Sequence, residues 1–101
     1  LEVASKASFI AKVFWWKGLV QKAKISFGDI LRIQREALGG DHLDVALTLE
    51  DIGNIHYESE NYEQALENYQ EALRIKRLIQ ATSGVNNLQN KVAHCYQAAG
   101  D

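Results

Sequence analysis

This 101-residue sequence predicts an all-α fold of about five helices, and three observations carry that prediction. The first is an internal repeat. Shifted by 42 positions, Ile10 falls on Ile52, Ala11 on Gly53, Val20 on Tyr62, Ala23 on Ala65, Phe27 on Tyr69, and Leu31-Arg32-Ile33 on Leu73-Arg74-Ile75. A period between about 20 and 50 residues marks stacked supersecondary units, none of which buries its apolar face alone. The stacking surface is therefore where function is expected. The second observation is composition: no proline and only seven glycines leave few interruptions to long helices. The third is the i, i+3, i+4 spacing of apolar residues throughout both copies.

The elements follow in order. A first helix is expected from about Val3 to Trp16, then a turn at Lys17-Gly18 and a second helix from about Leu19 to Leu38. Gly39-Gly40 ends it in a left-handed conformation, and Asp41 caps the next helix with Asp44 near its positive end. In that third helix Val45, Leu49, Ile52 and His56 keep helical spacing until Ser59-Glu60-Asn61 breaks it. Asn61 is read as an N-cap whose capping box is completed by Gln64. The helix it opens carries Ala65, Leu66, Tyr69, Ala72, Leu73 and Ile75 on one broad face and runs to about Ile79. Small Ala65 and Ala72 beside large Tyr69 and Leu73 let neighbouring helices approach closely. After Ala81-Thr82-Ser83-Gly84 a third copy begins with a shift of 40, so Val92 answers Ile52, Ala93 answers Gly53 and Tyr96 answers His56. It stops at Asp101, where its turn would start. The chain reads as one domain over 1–101, with repeats at 4–40 and 41–82 and a partial repeat at 83–101.

At 47% hydrophobic and 24% charged residues, the chain has the composition of a globular domain. Its densest apolar run, Phe9 to Trp16, is broken by Lys12, whereas a membrane helix needs roughly 20 apolar residues. Cys95 is the single cysteine, so no internal disulfide forms and a reducing interior such as the cytoplasm is the expected compartment. No basic-then-apolar signal segment is seen, and the start at Leu1 leads us to expect an excerpt of a longer protein. Residues 1–40 carry seven Lys/Arg against three Asp/Glu, and residues 41–101 carry four against ten. The net charges of +4 and −6 sum to the −2 of the whole chain and bear on partner choice rather than fold.

The run Leu49-x-x-Ile52-Gly53-x-x-His56, followed by Tyr62, Ala65, Tyr69 and Ala72, resembles a tetratricopeptide repeat. The first copy resembles it through Ile10, Ala11, Phe14, Gly18, Ala23 and Phe27. ALRI at Ala72 to Ile75, LGGDHLDVA at Leu38 to Ala46 and the VAHCYQAAGD ending are similar to the 42-residue repeats of kinesin light chains. The resemblance implies a right-handed α-α superhelix of helical hairpins, here two complete repeats plus the leading helix of a third. Its leading helices would line a concave groove for peptides or partner proteins. Leu43 stands where the family usually has proline, and His56 where it usually has an aromatic. Glu50-Asp51 replace the asparagine pair that kinesin light chains turn toward peptide, which argues against their tryptophan-and-acidic cargo peptides as ligands.

Residues able to carry chemistry are few. His94-Cys95 are adjacent, and neighbouring helical residues point about 100° apart, so they make no natural chelating pair. No CxxC or HExxH occurs, and no metal or cofactor is expected. His42 belongs to the interrepeat signature, His56 to helix packing, and His94 faces the groove or solvent. Cys95 reads as a small core residue. Gly39-Gly40 lacks the Gly-Lys-Ser/Thr of a phosphate loop. Glu58, Glu60, Glu63, Glu67 and Glu71 have the spacing of a solvated face. Lys6, Lys12, Lys17, Lys22 and Lys24 among Phe9, Trp15 and Trp16 could contact single-stranded nucleic acid. The pI near 5.9 and the missing nucleic-acid motif argue against that partner. No enzymatic activity is expected.

The groove candidates are the leading-helix residues opposite the packing stripe. They comprise Ser5, Ser8, Phe9, Lys12, Trp15 and Trp16 in the first copy, then Leu47, Glu50, Asp51, Asn54, Tyr57 and Glu58 in the second. The third copy adds Asn87, Asn90, Lys91, His94 and Gln97. Asn54 and Asn90 have donors and acceptors for a peptide backbone, while Trp15 and Tyr57 offer stiff surfaces typical of binding hot spots. Trp15 and Trp16 fit packing against a neighbouring repeat as well as ligand contact. Glu50, Asp51 and Glu58 would repel one another without a cation nearby, and so favour a basic or mixed-charge peptide. The expected function is a non-catalytic interaction module acting as adaptor or scaffold. The alternative is a structural subunit meeting its neighbours through open ends and outer faces. The final helix, with Val85, Leu88, Val92, Ala93, Tyr96 and Ala99, is expected to be covered by further chain, a second copy or another subunit.

Overall fold

The computed structural model describes residues 2–81 and 84–99, with side chains from Phe9 onward. The expected break at Thr82-Ser83, the stop at Asp101 and the side chains of Ser5 and Ser8 lie outside these. Five helices follow one another: α1 (Glu2–Trp16), α2 (Val20–Leu38), α3 (Leu43–Glu58), α4 (Tyr62–Leu78) and α5 (Val85–Ala99). Among the described residues there is no strand. The molecule measures 40 × 34 × 19 Å, and its short dimension is two helix diameters of about 10 Å each. Each helix packs chiefly on its neighbours in sequence, making antiparallel hairpins α1–α2 and α3–α4 with α5 laid against α4.

The repeat explains where the core lies. One cluster joins Ala11 of α1 and Ala23, Phe27 and Ile30 of α2 to Ile55 of α3. The other joins Val45, Ala46 and Leu49 of α3, Ala65, Tyr69, Ala72, Leu73 and Ile75 of α4, and Leu88 and Cys95 of α5. Each cluster thus spans one hairpin plus the helix that opens the next, because an isolated hairpin leaves one apolar side in water. The most extensive contact is between α3 and α4, and it includes a tight one. A Cβ built on Gly53 would lie 2.7 Å from Cε1 of the buried Tyr69 ring, so only glycine admits the ring there. Between α2 and α3, Thr48 Oγ1 donates to Gln34 Oε1 at 2.6 Å, which satisfies a buried polar pair.

The turns repeat too. After α1, the Leu19 N–H donates to the Phe14 carbonyl and the Gly18 N–H to Trp15, with Gly18 at φ +81°. After α3, Asn61 donates to His56 and Glu60 to Tyr57, with Glu60 at φ +64°. After α4, Ala81 donates to Lys76 and Gln80 to Arg77, with Gln80 at φ +60°. All three are Schellman closures, in which the last helical carbonyls accept from the first residues of the turn.

Three local expectations are corrected. Gly39 has the positive φ of 86°, but its ψ of 166° is extended, a combination open only to glycine and distinct from a left-handed helical cap. His42, not Asp41, caps α3: its ring Nδ1 accepts from the Asp44 N–H at 3.0 Å. Asp41 is drawn instead to Arg74 on α4, 3.0 Å away. Asn61 occupies the N-cap position of α4 without a side-chain capping bond, so no capping box forms with Gln64. Its φ and ψ of −88° and 69°, set by the preceding closure, leave the extended region in which a cap side chain reaches back to the helix.

Candidate functional site

The leading helices α1, α3 and α5 lie side by side, and a cavity of about 510 Å³ opens between them. Trp15 comes from α1, Asn54, Tyr57 and Glu58 from α3, and Asn90, Lys91 and His94 from α5, while Tyr69 of α4 reaches through from behind. Seven of the seventeen groove candidates therefore converge on one surface, while Phe9, Lys12, Trp16, Leu47, Glu50, Asp51, Asn87 and Gln97 do not line it. The seven sit on the outer stripe of their helices because the opposite stripe is committed to the core.

The polar floor is built around Asn54. Its Oδ1 accepts from the Tyr69 hydroxyl at 2.6 Å and from Lys91 Nζ at 2.9 Å. Lys91 also lies 5.6 Å from the Tyr69 ring centroid and 3.7 Å from Glu50 Oε2. Glu50 Oε1 in turn is 3.3 Å from Nζ of Lys76, a residue only 2% exposed. Burial pushes the Tyr69 phenol far above its ordinary range, with the nearby Cys95 and Glu50 acting in the same direction. The hydroxyl therefore stays protonated and remains a donor. At the other wall, Tyr57 is hydrogen-bonded through its hydroxyl to His94 Nδ1 and stands edge-on to Tyr62, with ring centroids 5.5 Å apart.

Five of the other candidates, Lys12, Glu50, Asp51, Phe9 and Trp16, make contacts of their own. Lys12 of α1 pairs with Asp51 of α3 at 3.8 Å, and Glu50 is enclosed between its two lysines. Phe9 and Trp16 form an exposed edge-to-face pair on α1 with centroids 6.5 Å apart, 61% and 68% accessible. Burial raises the Asp51 carboxyl above its usual range, and Lys12 offsets only part of that. The expectation that three acids on α3 call for a basic partner thus meets a different arrangement. The chain's own Lys12, Lys76 and Lys91 stand against Asp51 and Glu50, which leaves Glu58 as the exposed acid.

Tyr69 belongs to this site although its position on the second helix of its hairpin reads as a packing position, and Lys76 of the same helix meets Glu50 behind it. A signal for Tyr69 exists in the repeat itself: the first copy places Ala11 opposite Phe27, whereas the second places Gly53 opposite Tyr69. The swap makes room for a ring and supplies a hydroxyl. Of the other reactive groups, Cys95 is buried in the core, and burial raises its thiol pKa, which depletes the thiolate. His56 holds a buried Nδ1 with no hydrogen-bond partner among the described residues, and burial, aided by Lys24, lowers its pKa. Among the described residues no cluster of three His, Cys, Asp or Glu side chains could hold a metal ion, and no helix is long and apolar enough to cross a membrane. A family profile described as tetratricopeptide repeat matches residues 2–77. No curated protein matches the chain at a significant level.

Proposed function

The chain belongs to the tetratricopeptide repeat family, whose repeats are generally protein–protein interaction modules, and from that premise we propose that its cavity holds an extended segment of a partner protein. The protein then acts as a non-catalytic adaptor or scaffold. The observation that carries this reading is the convergence of Trp15, Asn54, Tyr57, Asn90, Lys91 and His94 from three successive leading helices on one open surface. Aromatic side chains supply apolar contact and a side-chain amide supplies backbone hydrogen bonds, the combination that an extended peptide requires. Because Glu50 and Asp51 are already matched by lysines, affinity here comes from shape and hydrogen bonds more than from net charge. A mixed-charge segment fits better than a strongly basic one.

The test is affinity capture with the purified chain, peptide mapping of what is retained, and comparison with Trp15→Ala. Truncating a half-buried hot-spot aromatic lowers affinity by about tenfold or more. Equal retention by the variant would move recognition elsewhere.

A second reading is favoured by the outer side of α4 and α5. There Gln70, Leu73, Arg74, Arg77, Gln89, Val92 and Tyr96 line a cavity of about 540 Å³. Leu73 repeats Leu31, which packs against the core of the following unit. A neighbouring subunit, or a second copy, seated on this side would make the protein a structural component of an assembly. Sedimentation over a concentration series, with Tyr96→Ala as the control, separates the two roles. Loss of association by this variant with peptide capture intact would support the second.

A further inference from the structure

Resting on the second of these readings, in which a neighbour is seated on the outer side of α4 and α5, we infer that this side docks an amphipathic helix of a partner protein. That helix presents an aromatic ring to Ala93 and, two residues later, a carboxylate to Arg77. The chain contains its own template for the contact. The corresponding crevice, between α2 and α3, is filled by α4, and Leu31, the counterpart of Leu73, packs against the cluster that holds Ala65, Tyr69 and Ala72 of that helix. Two side chains of α4 straddle the crevice. The Tyr69 ring lies over Gly53 of α3. The Glu71 carboxyl is held below its ordinary range by its hydrogen bond with Arg74 and, in smaller part, by the charge of Arg35 on α2.

One repeat further along, Ala93 stands in the place of Gly53 and Arg77 in the place of Arg35. Ala93 is exposed on α5. Arg77 lines the outer cavity of about 540 Å³ and has no ion pair among the described residues. Arg74 of the same cavity is already committed to Asp41 and Glu71. A carboxylate brought to Arg77 therefore meets an unmatched guanidinium, whose planar fork suits it. An alanine at the place of Ala93 suits a phenyl ring, as Ala11 packs in one cluster with Phe27. The remaining residues favour a separate molecule over a permanent filling. Where the interior crevice has Gly28 and Leu49, this one has Gln70 and Gln89, and Gln70 Nε2 donates to the exposed Tyr96 hydroxyl at 2.8 Å. Permanent interfaces are as apolar as a core cut in half, whereas partners that meet as separate molecules keep a more polar surface, with Tyr and Arg as anchors. A second copy fits poorly. A two-fold contact would set Arg74 and Arg77 against themselves, and α2 and α4, the helices with the ring and carboxylate at this spacing, are built into the chain's own core.

The experiment is a nuclear magnetic resonance titration of the chain with a synthetic peptide of the α2 sequence, Val20–Leu38, in which Phe27 and Asp29 supply the ring and the carboxylate. The side-chain amides of Gln70 and Gln89 report on the outer side and the Trp15 indole on the groove. The expected result is that the peptide shifts both glutamine signals and leaves Trp15 in place. Asp29→Asn in the peptide, or Arg77→Gln in the chain, should weaken binding about five- to thirtyfold, the range of an interface anchor. The exchanged pair, Arg77→Glu in the chain with Asp29→Lys in the peptide, should recover most of that loss. Arg77 is exposed, so its variants keep the fold, and the peptide variants test the same pairing without touching the chain. If the peptide moves the glutamines but both single variants bind like the parent, the carboxylate assignment is wrong. If the glutamines stay still while sedimentation shows the chain associating in a way that Tyr96→Ala abolishes, the occupant is a second copy; the inference is overturned and the reading beneath it stands. If the glutamines stay still and the chain does not associate, both fail.

Discussion

Gly53→Ala is the substitution that most directly tests how α3 and α4 are held together. The added Cβ would meet Cε1, Cδ1 and Cζ of Tyr69 at 2.7, 2.9 and 3.2 Å. Carbon atoms prefer separations of about 3.5–4.0 Å, so the ring must retreat by close to an ångström. Tyr69 is fully buried among α3, α4 and α5, so that retreat disturbs the side chains packed around it and its bond to Asn54. Overpacking of this kind costs about 1–3 kcal/mol, and displacing the hydroxyl from Asn54 adds about 1 kcal/mol. Replacing a mid-helical glycine with alanine returns about 1 kcal/mol of helix propensity. The net is a loss of about 1–3 kcal/mol, which for a domain of this size lowers Tm by roughly 5–20 °C. Thermal and urea unfolding followed by helical circular dichroism measure it. Gly28→Ala is the internal control: Gly28 also lies inside a helix, but a Cβ there meets nothing within 4 Å, so only the propensity gain remains. If Gly53→Ala stabilises the chain as much as Gly28→Ala does, the close-contact argument is wrong. A coupling energy near zero between Gly53→Ala and Tyr69→Leu would refute it independently.

Further outcomes follow from other parts of the structure. Glu60 sits at φ +64° in the closure after α3, where the first repeat has Gly18, so Glu60→Gly should raise stability by about 1 kcal/mol, measurable as a shift in the urea midpoint. Glu50→Gln removes a carboxylate from the buried Lys76 and from Lys91, and should cost about 1.5–3 kcal/mol in the same assay. His56 has a folded pKa below its ordinary 6.5, so between the two values the unfolded chain binds more protons. Stability should therefore fall as pH drops through 6.5 and level off below the lowered folded value. His56→Gln should flatten that part of the profile, and an unchanged slope would show that the imidazole is not its source.

The sequence by itself determined the helices, their order and the side each one turns inward. These depend on properties within a few residues of one another: 3.6-residue periodicity, the Gly18 turn, and a small residue placed opposite a large ring one helix later. The 42-residue repeat also placed the outer stripe of α1, α3 and α5, and with it most of the cavity's lining. What escaped the sequence were partnerships between residues far apart in the chain. Asp41 goes to Arg74 and leaves the cap of α3 to His42, because the end of α4 passes within reach. Glu50 and Asp51 read as unmatched acids, yet lysines of α1, α4 and α5 meet them. Asn54 read as a group free to donate or accept, and only the placing of α4 and α5 around it assigned both lone pairs of its oxygen. Helix periodicity says which face a side chain occupies, but a hydrogen bond is decided within a few tenths of an ångström. That distance is set by how closely α4 approaches α3, and the approach rests on the missing Cβ of Gly53.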